Sequence, residues 1–193
     1  MELSPQLYHH IVRPKWFTKL YIGNIINREL HPVDKIVLDF GSGTGSSCSI
    51  FEPENYLGVD IDLYRVDYAK RLYPDYHFSV INDTSLPVVD NYFDCIIIVA
   101  VLHHISNEKL RNYQQEFHRT LKPDGQILII EPCYCKKSII NNNLMRFFDN
   151  GKFIRSEKEY LELFDNKRFQ TRVIRRFKKV FYNEIILSAK PVN

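Results

Sequence analysis

Apolar positions along this chain follow two rhythms. Short β-rich apolar runs recur between residues 35 and 131, and three- and four-residue apolar spacings fill several of the gaps between them. That alternation is the signature of a parallel sheet with helices on its faces. The runs predict strands at 35–40, 55–60, 76–81, 93–99 and 126–131. Helices are predicted at 63–72, before Pro74, and at 107–121, before the turn Lys122-Pro123-Asp124-Gly125. In the second, Leu110, Tyr113, Phe117 and Leu121 form one stripe that should pack on the sheet.

Two segments depart from this alternation. Residues 6–30 are aromatic and helical in pattern, with Tyr8, Trp16, Phe17 and Tyr21 and an interruption at Pro14. Residues 136–168 predict two further short helices around Gly151, the second opening with Ser156 and Glu159 in capping-box spacing. The chain closes with runs at 171–177 and 181–189, too close together for a parallel crossover, so they predict an antiparallel hairpin. The expected fold is a three-layer α/β/α sandwich with a seven-stranded, mostly parallel sheet whose last strand is antiparallel.

Composition narrows the class. The 193 residues are 45% hydrophobic, enough for one sizeable core, and 7 Gly, 9 Pro and the lack of a repeating motif argue against fibrous or disordered chains. The longest apolar run, Cys95 to Leu102, has eight residues, against the roughly 20 that a membrane helix needs. No membrane association is expected, and without a secretory signal pattern the expected location is cytoplasmic. Of Cys48, Cys95, Cys133 and Cys135 only the last two are close, in a C-x-C without a second pair or nearby His, so no metal is expected. Residues 151–193 carry 11 Lys/Arg against 5 Asp/Glu, and residues 1–150 carry 15 against 18, so the C-terminal part is +6 and the rest −3. Such a basic face suits either an anionic partner or a charged, protected edge strand.

The chemistry concentrates where Lys35-Ile36-Val37-Leu38-Asp39-Phe40 runs into Gly41-Ser42-Gly43-Thr44-Gly45, a buried strand ending in a glycine-rich turn open to close backbone approach. Ser46 stands where the dinucleotide fingerprint wants its third small residue, and no Lys-Ser/Thr pair follows for a phosphate-binding loop. Tyr56-Leu57-Gly58-Val59-Asp60 is a second strand with an acid at its carboxyl end, placed to accept hydrogen bonds from ribose hydroxyls, which predicts a nucleoside ligand. Asp83, after the third strand, would lie further along the same crevice, within reach of an adenine amino group.

With these features, VLDFGSGTG, YLGVDID, NDTSLPVVDNYFDCIIIVAVLHHI and LKPDGQILIIEP stand in register over residues 35–132, and the sequence resembles the class I S-adenosylmethionine-dependent methyltransferases. Within them it is similar to the small-molecule type of the ubiquinone-biosynthesis C-methyltransferases. The resemblance implies a Rossmann-like fold, with S-adenosylmethionine consumed and S-adenosylhomocysteine released. It also implies roles. Asp39 and the turn of Gly41, Ser42, Gly43 and Gly45 would hold the methionine moiety, Asp60 the ribose hydroxyls, Ile61 one adenine face, and Asp83 with Thr84 the adenine's polar edge. Val99 and Ala100 would offer carbonyls to the methionine amino group. The expected organisation is one domain, 1–193, comprising a helical cap (1–30), a cofactor-binding core (31–135), a helical insert (136–168) and the C-terminal hairpin (169–193). Only ten residues separate Gly45 from Tyr56, so the helix after the glycine turn must be at most about two turns long.

Methyl transfer from a sulfonium is an in-line displacement in which the protein chiefly positions the nucleophile and excludes water. A base is needed only where the acceptor loses a proton, and His104 or His103 could serve. By the resemblance, the N-terminal helices and the insert shape the acceptor pocket, which gives Tyr8, Trp16, Tyr21 and Phe147 as candidate contacts, with His9, His10, Phe17, Phe148 and Phe153 nearby. Aromatic walls suit a small flat or apolar acceptor. Three other functions remain open: an RNA methyltransferase using Arg172, Arg175, Arg176, Lys178 and Lys179, an NAD-dependent oxidoreductase, and a cofactor-binding subunit without catalysis. The assembly expected is a monomer or homodimer.

Overall fold

In the computed structural model, residues 21–136, 138–148, 151–164, 167–178 and 183–192 are described, with only the backbone of residues 147 and 148. The chain clusters into two compact units. Among the described residues, the first holds those up to Asp83 together with Phe93–Ile97, and the second holds Thr84–Tyr92 and those from Ile98 onward.

The first unit is built on β1, Val37–Phe40, whose four residues are all buried as an uninterrupted parallel-sheet run should be. Beside it runs β2 (Tyr56–Asp60), and beside that β3 (His77–Val80), both parallel, with Asp39 opposite Gly58 and Gly58 opposite Phe78. The first part of β4 (Phe93–Val99) lies on the other side of β1. Helix α1 (Gly23–Leu30) buries Ile25, Ile26 and Leu30 and ends at His31, a left-handed residue whose N–H returns to the Asn27 carbonyl. Helix α2 (Leu63–Leu72) starts where the Asp62 side chain accepts from the Arg65 N–H at 3.1 Å, and it buries Val66 and Ala69. Between β1 and β2 the chain makes only two single 3₁₀ turns, Cys48–Ile50 and Pro53–Asn55, as the ten-residue spacing requires.

Glycines in this unit make room for one aromatic ring. A Cβ on Gly58 would lie 2.6 Å from the Phe78 ring and 2.9 Å from Ser42 Oγ, and one on Gly45 would lie 2.7 Å from the same ring. Phe78 is buried there, with the Tyr56 ring edge-on at 5.6 Å.

In the second unit, helix α3 (Asn107–Thr120) is capped by Ser106 and buries Leu110, Tyr113 and Phe117, three of the four residues of the expected stripe. Leu121 already begins β5 (Leu121–Tyr134). The turn expected at 122–125 therefore falls inside the strand's span. The chain still doubles back there, because a Cβ on Gly125 would sit 2.7 Å from Leu121 Cγ. Antiparallel to β5 runs β8 (Asn183–Pro191), with Ile129 opposite Leu187, and against β8 lies β7 (Phe169–Lys178), bulged between Val173 and Arg175. The insert supplies α4 (Ile139–Phe148) and α5 (Glu157–Leu163), the latter opened by the Ser156–Glu159 capping box. It also adds a short strand absent from the sequence reading: β6, Arg155–Ser156, parallel to Cys133 and Tyr134. Two residues carry no visible periodicity. The order β3-β2-β1-β4-β5-β8-β7 is that of a Rossmann-like sheet, mostly parallel with its last strand reversed.

Replacing Gly58 by Ala forces a methyl group onto the Phe78 ring, and overpacking of this kind costs about 1–3 kcal/mol. The urea midpoint should fall while the slope of the transition stays unchanged.

Candidate active site

In the first unit the glycine turn is folded onto β2. The N–H groups of Gly41 and Ser42 donate to the Val59 carbonyl at 2.8 and 3.0 Å. Gly41, Gly43 and Gly45 have φ of 76°, 54° and 76°, a region that side chains disfavour. The half-buried Asp60 carboxylate ties turn to strand, with Oδ2 accepting the Gly43 N–H at 2.8 Å and Oδ1 the Asp62 N–H at 3.0 Å. Each carboxylate oxygen can accept more than one donor, so ribose hydroxyls could join these amides.

Three observations fit a nucleoside ligand at this turn. A Cβ on Gly43 would meet nothing nearer than Asp60 Oδ2 at 4.0 Å, so the turn has open space above it. The buried Ser42 Oγ has no hydrogen-bond partner. Ile61, directly after the ribose acid, is 64% exposed, an apolar side chain left for a flat ring to cover. Asp83 is exposed beyond the end of β3, and Thr84 after it is half-buried. Asp39 is buried and accepts the Tyr56 hydroxyl at 2.7 Å. Burial, reinforced by the Asp39 charge, raises the Tyr56 pKa well above that of an ordinary phenol. Tyr56 was not singled out from the sequence, where it reads only as the aromatic start of a strand.

In the second unit Val99 is buried and Ala100 takes φ +55°, its N–H donating to the Ile130 carbonyl at 2.8 Å. The residues after it turn about one carboxylate. Glu131, fully buried on β5, accepts at Oε1 from the Val101 and Leu102 N–H groups at 2.6 and 2.7 Å. Its Oε2 takes the His103 N–H at 3.3 Å and pairs with His103 Nδ1 at 2.7 Å, and the Tyr160 hydroxyl reaches the same oxygen at 3.5 Å. From the other side the buried Arg155 donates to the carbonyls of Leu102, Ile105 and Phe153 and twice to Asn107 Oδ1. His103 is thus buried and held, whereas His104 is exposed, with its ring centroid 4.0 Å from that of His103. Glu131 and Arg155 were missed in the sequence. The available signal was an acid inside the apolar run Ile127–Pro132, where a strand buried on both faces has no reason to carry one.

Of the expected acceptor contacts, Tyr8 and Trp16 lie outside the described residues, as does the Phe147 side chain, and Tyr21 is half-buried. Among the described residues no group of three or more His, Cys, Asp or Glu is placed to hold a metal ion, and no helix is long and apolar enough to cross a membrane. On β7, Arg172 and Arg175 are exposed, while Arg176 is paired with Glu157 at 2.5 and 2.7 Å.

Residues 38–129 match the methyltransferase domain family. O-methyltransferase 12 of Dictyostelium discoideum is 27% identical over 185 residues, covering 88% of this chain and 48% of that protein. Demethylmenaquinone methyltransferase of Paenarthrobacter aurescens is 35% identical over 104 residues, covering 51% and 39%. The crystal structure of magnesium protoporphyrin IX methyltransferase from Synechocystis, with bound S-adenosylhomocysteine, superposes with a TM-score of 0.67 at 16% identity over 89% of this chain and 80% of that one. Over residues 38–129 the chain is thus similar to a methyltransferase domain, and its Rossmann-like fold agrees with that similarity. It spans about half the length, or less, of the curated relatives it matches here.

The raised pKa of Tyr56 has a sign that can be tested. A phenol whose folded pKa lies above its unfolded value of about 10 contributes stability below pH 10 and loses it as pH rises further, because only the unfolded chain ionises there. Stability should decline above about pH 10. Tyr56→Phe should start lower, having lost a donor to buried Asp39, and decline less steeply in urea titrations between pH 8 and 11.5.

Proposed function

We propose that this chain transfers a methyl group from S-adenosylmethionine to a small, flat or apolar acceptor. The observation that carries the reading is the Asp60 carboxylate, fixed by two turn amides beside the orphaned Ser42 hydroxyl and the exposed Ile61. In that arrangement Asp60 would hold the ribose hydroxyls and Ile61 an adenine face, with Asp83 and Thr84 on the polar edge. The turn of Gly41, Ser42, Gly43 and Gly45, which follows Asp39, would accommodate the methionine moiety.

The cofactor, when bound, supplies an electrophilic methyl on a positively charged sulfur. The chain's own task is then to bind, orient and exclude water, which is where most of the acceleration of such a displacement arises. Where the acceptor must lose a proton, His103 or His104 takes it. Tyr8, Trp16, Tyr21 and Phe147 remain the proposed acceptor wall. A small acceptor is favoured over RNA because Arg176 on β7 is neutralised by Glu157. The similarity to a demethylmenaquinone methyltransferase supports a flat-ring acceptor.

Thermal melts with S-adenosylhomocysteine and, separately, NAD test the reading. A site occupied at a hundredfold excess over its dissociation constant stabilises by about 2.7 kcal/mol. S-adenosylhomocysteine should raise the melting temperature and NAD should not, and Asp60→Ala should lose the shift. A shift with NAD alone would overturn the assignment. Release of S-adenosylhomocysteine across a panel of metabolites and RNA then finds the acceptor.

A further inference from the structure

A groove of about 710 Å³ lies wholly within the second unit, between α5 and the hairpin of β7 and β8. That volume falls within the roughly 300–1,000 Å³ of small-molecule sites. Leu161 of α5, Ile185 of β8 and Phe177 of β7 give it apolar walls, and Cys133 joins them, since burial pushes its thiol up to about 12 and keeps it uncharged. The strand register sets its length. Among the β7 residues that line it, Lys178 stands opposite Asn183 and Thr171 opposite Ala189, so they are separated by about 20 Å along the sheet. Charge is uneven along the groove, which four cations and three acids line. Glu157 is taken by Arg176 at 2.5 and 2.7 Å, and Glu162 lies 3.5 Å from Lys158. Lys136 and Lys178 are exposed and have no carboxylate partner among the described residues, and Glu184 is the remaining acid. Both lysines stand at one end, where β5 has finished and the hairpin turns.

We propose that this groove binds an elongated organic monoanion whose apolar body lies between α5 and β7 and whose carboxylate meets Lys136 and Lys178. Covering the apolar walls removes surface from water, which is the main favourable term in such binding. The head group stays at the wet rim, where long lysine stems can bring their ammonium groups to it. A neutral ligand with the same body leaves the two lysines unused, and a cationic one is repelled by them. A nucleic-acid backbone fits less well, because past the lysine end the charges of α5 that line the groove, Glu157, Lys158 and Glu162, include two acids and the walls are apolar. None of these residues belongs to the proposed transfer site, so the inference stands or falls apart from methyl transfer.

The probe is octanoate, titrated into the full chain labelled with ¹⁵N beside 1-octanol and octylammonium, which carry the same apolar body with a neutral and a positive head. Octanoate should shift the amide signals of Cys133, Leu161, Arg176 and Ile185, and it should bind about tenfold more tightly than 1-octanol, as two exposed charge pairs allow. Octylammonium should bind most weakly. Lys136→Glu combined with Lys178→Glu alters exposed residues only, so the melting temperature should match that of the wild type. That double variant should weaken octanoate about tenfold, leave 1-octanol unchanged and favour octylammonium. Leu161→Asn, in the apolar wall, should weaken octanoate and 1-octanol alike. Equal affinity of the wild type for octanoate and 1-octanol, shifts confined to residues outside the groove, or no shift at all would overturn the proposal, and these three outcomes need no variant. A folded double variant that binds octanoate as the wild type does would overturn it too.

Discussion

The structure depends on carboxylates at or near strand ends that accept what the sheet leaves unpaired. Where a buried strand gives way to a turn, successive N–H groups lose their ladder partners, and a buried amide without an acceptor costs about as much as a lost hydrogen bond. Asp60 answers this in the first unit by taking Gly43 and Asp62, and Glu131 answers it in the second by taking Val101, Leu102 and His103. Asp39 accepts a phenol hydroxyl in the same spirit. Asp60 and Glu131 thus shape their turns before any ligand is considered.

The first unit adds a packing constraint to that electrostatic one. Phe78 fills the space that side chains at Gly45 and Gly58 would take, so the glycine turn and the middle of β2 are pressed onto one ring. Gly45 therefore has two reasons to be glycine, its positive φ and its proximity to Phe78, while Gly43 has only the first and faces open space. Space is left at Gly43, where a Cβ would meet only Asp60 Oδ2 at 4.0 Å.

What the sequence made legible was whatever has a period or a punctuation mark. The five parallel strands, α2, α3, the closing hairpin and the Ser156 capping box follow from apolar spacing, Pro and Gly positions and cap residues, all local signals. Boundaries slipped where tertiary pairing extended an element, as at Leu121, which is the last residue of an apolar stripe and also the first of β5. Strand β6 escaped because two residues have no rhythm and exist as a strand only by lying against Cys133 and Tyr134. Asp60 could be singled out because it stands at the carboxyl end of a strand. Glu131 could not, because its partners lie 28 to 30 residues away and only the fold brings them together.

Glu131 and Arg155 also show why a buried charge persists where an apolar residue would be cheaper. Removing either ion from water costs several kcal/mol, and well-packed apolar replacements for buried ion pairs are often neutral or stabilising. An apolar side chain at 131 would fill the volume but leave the amides of Val101, Leu102 and His103 without an acceptor, and the turn would have to open to water to satisfy them. Arg155 has the complementary position: five donations go to the oxygens of Leu102, Phe153, Ile105 and Asn107, so its fixed fork spans a turn that a lysine's single ammonium could not. The two charges therefore specify one conformation of residues 101–107 from opposite sides, one through its N–H groups and the other through its carbonyls.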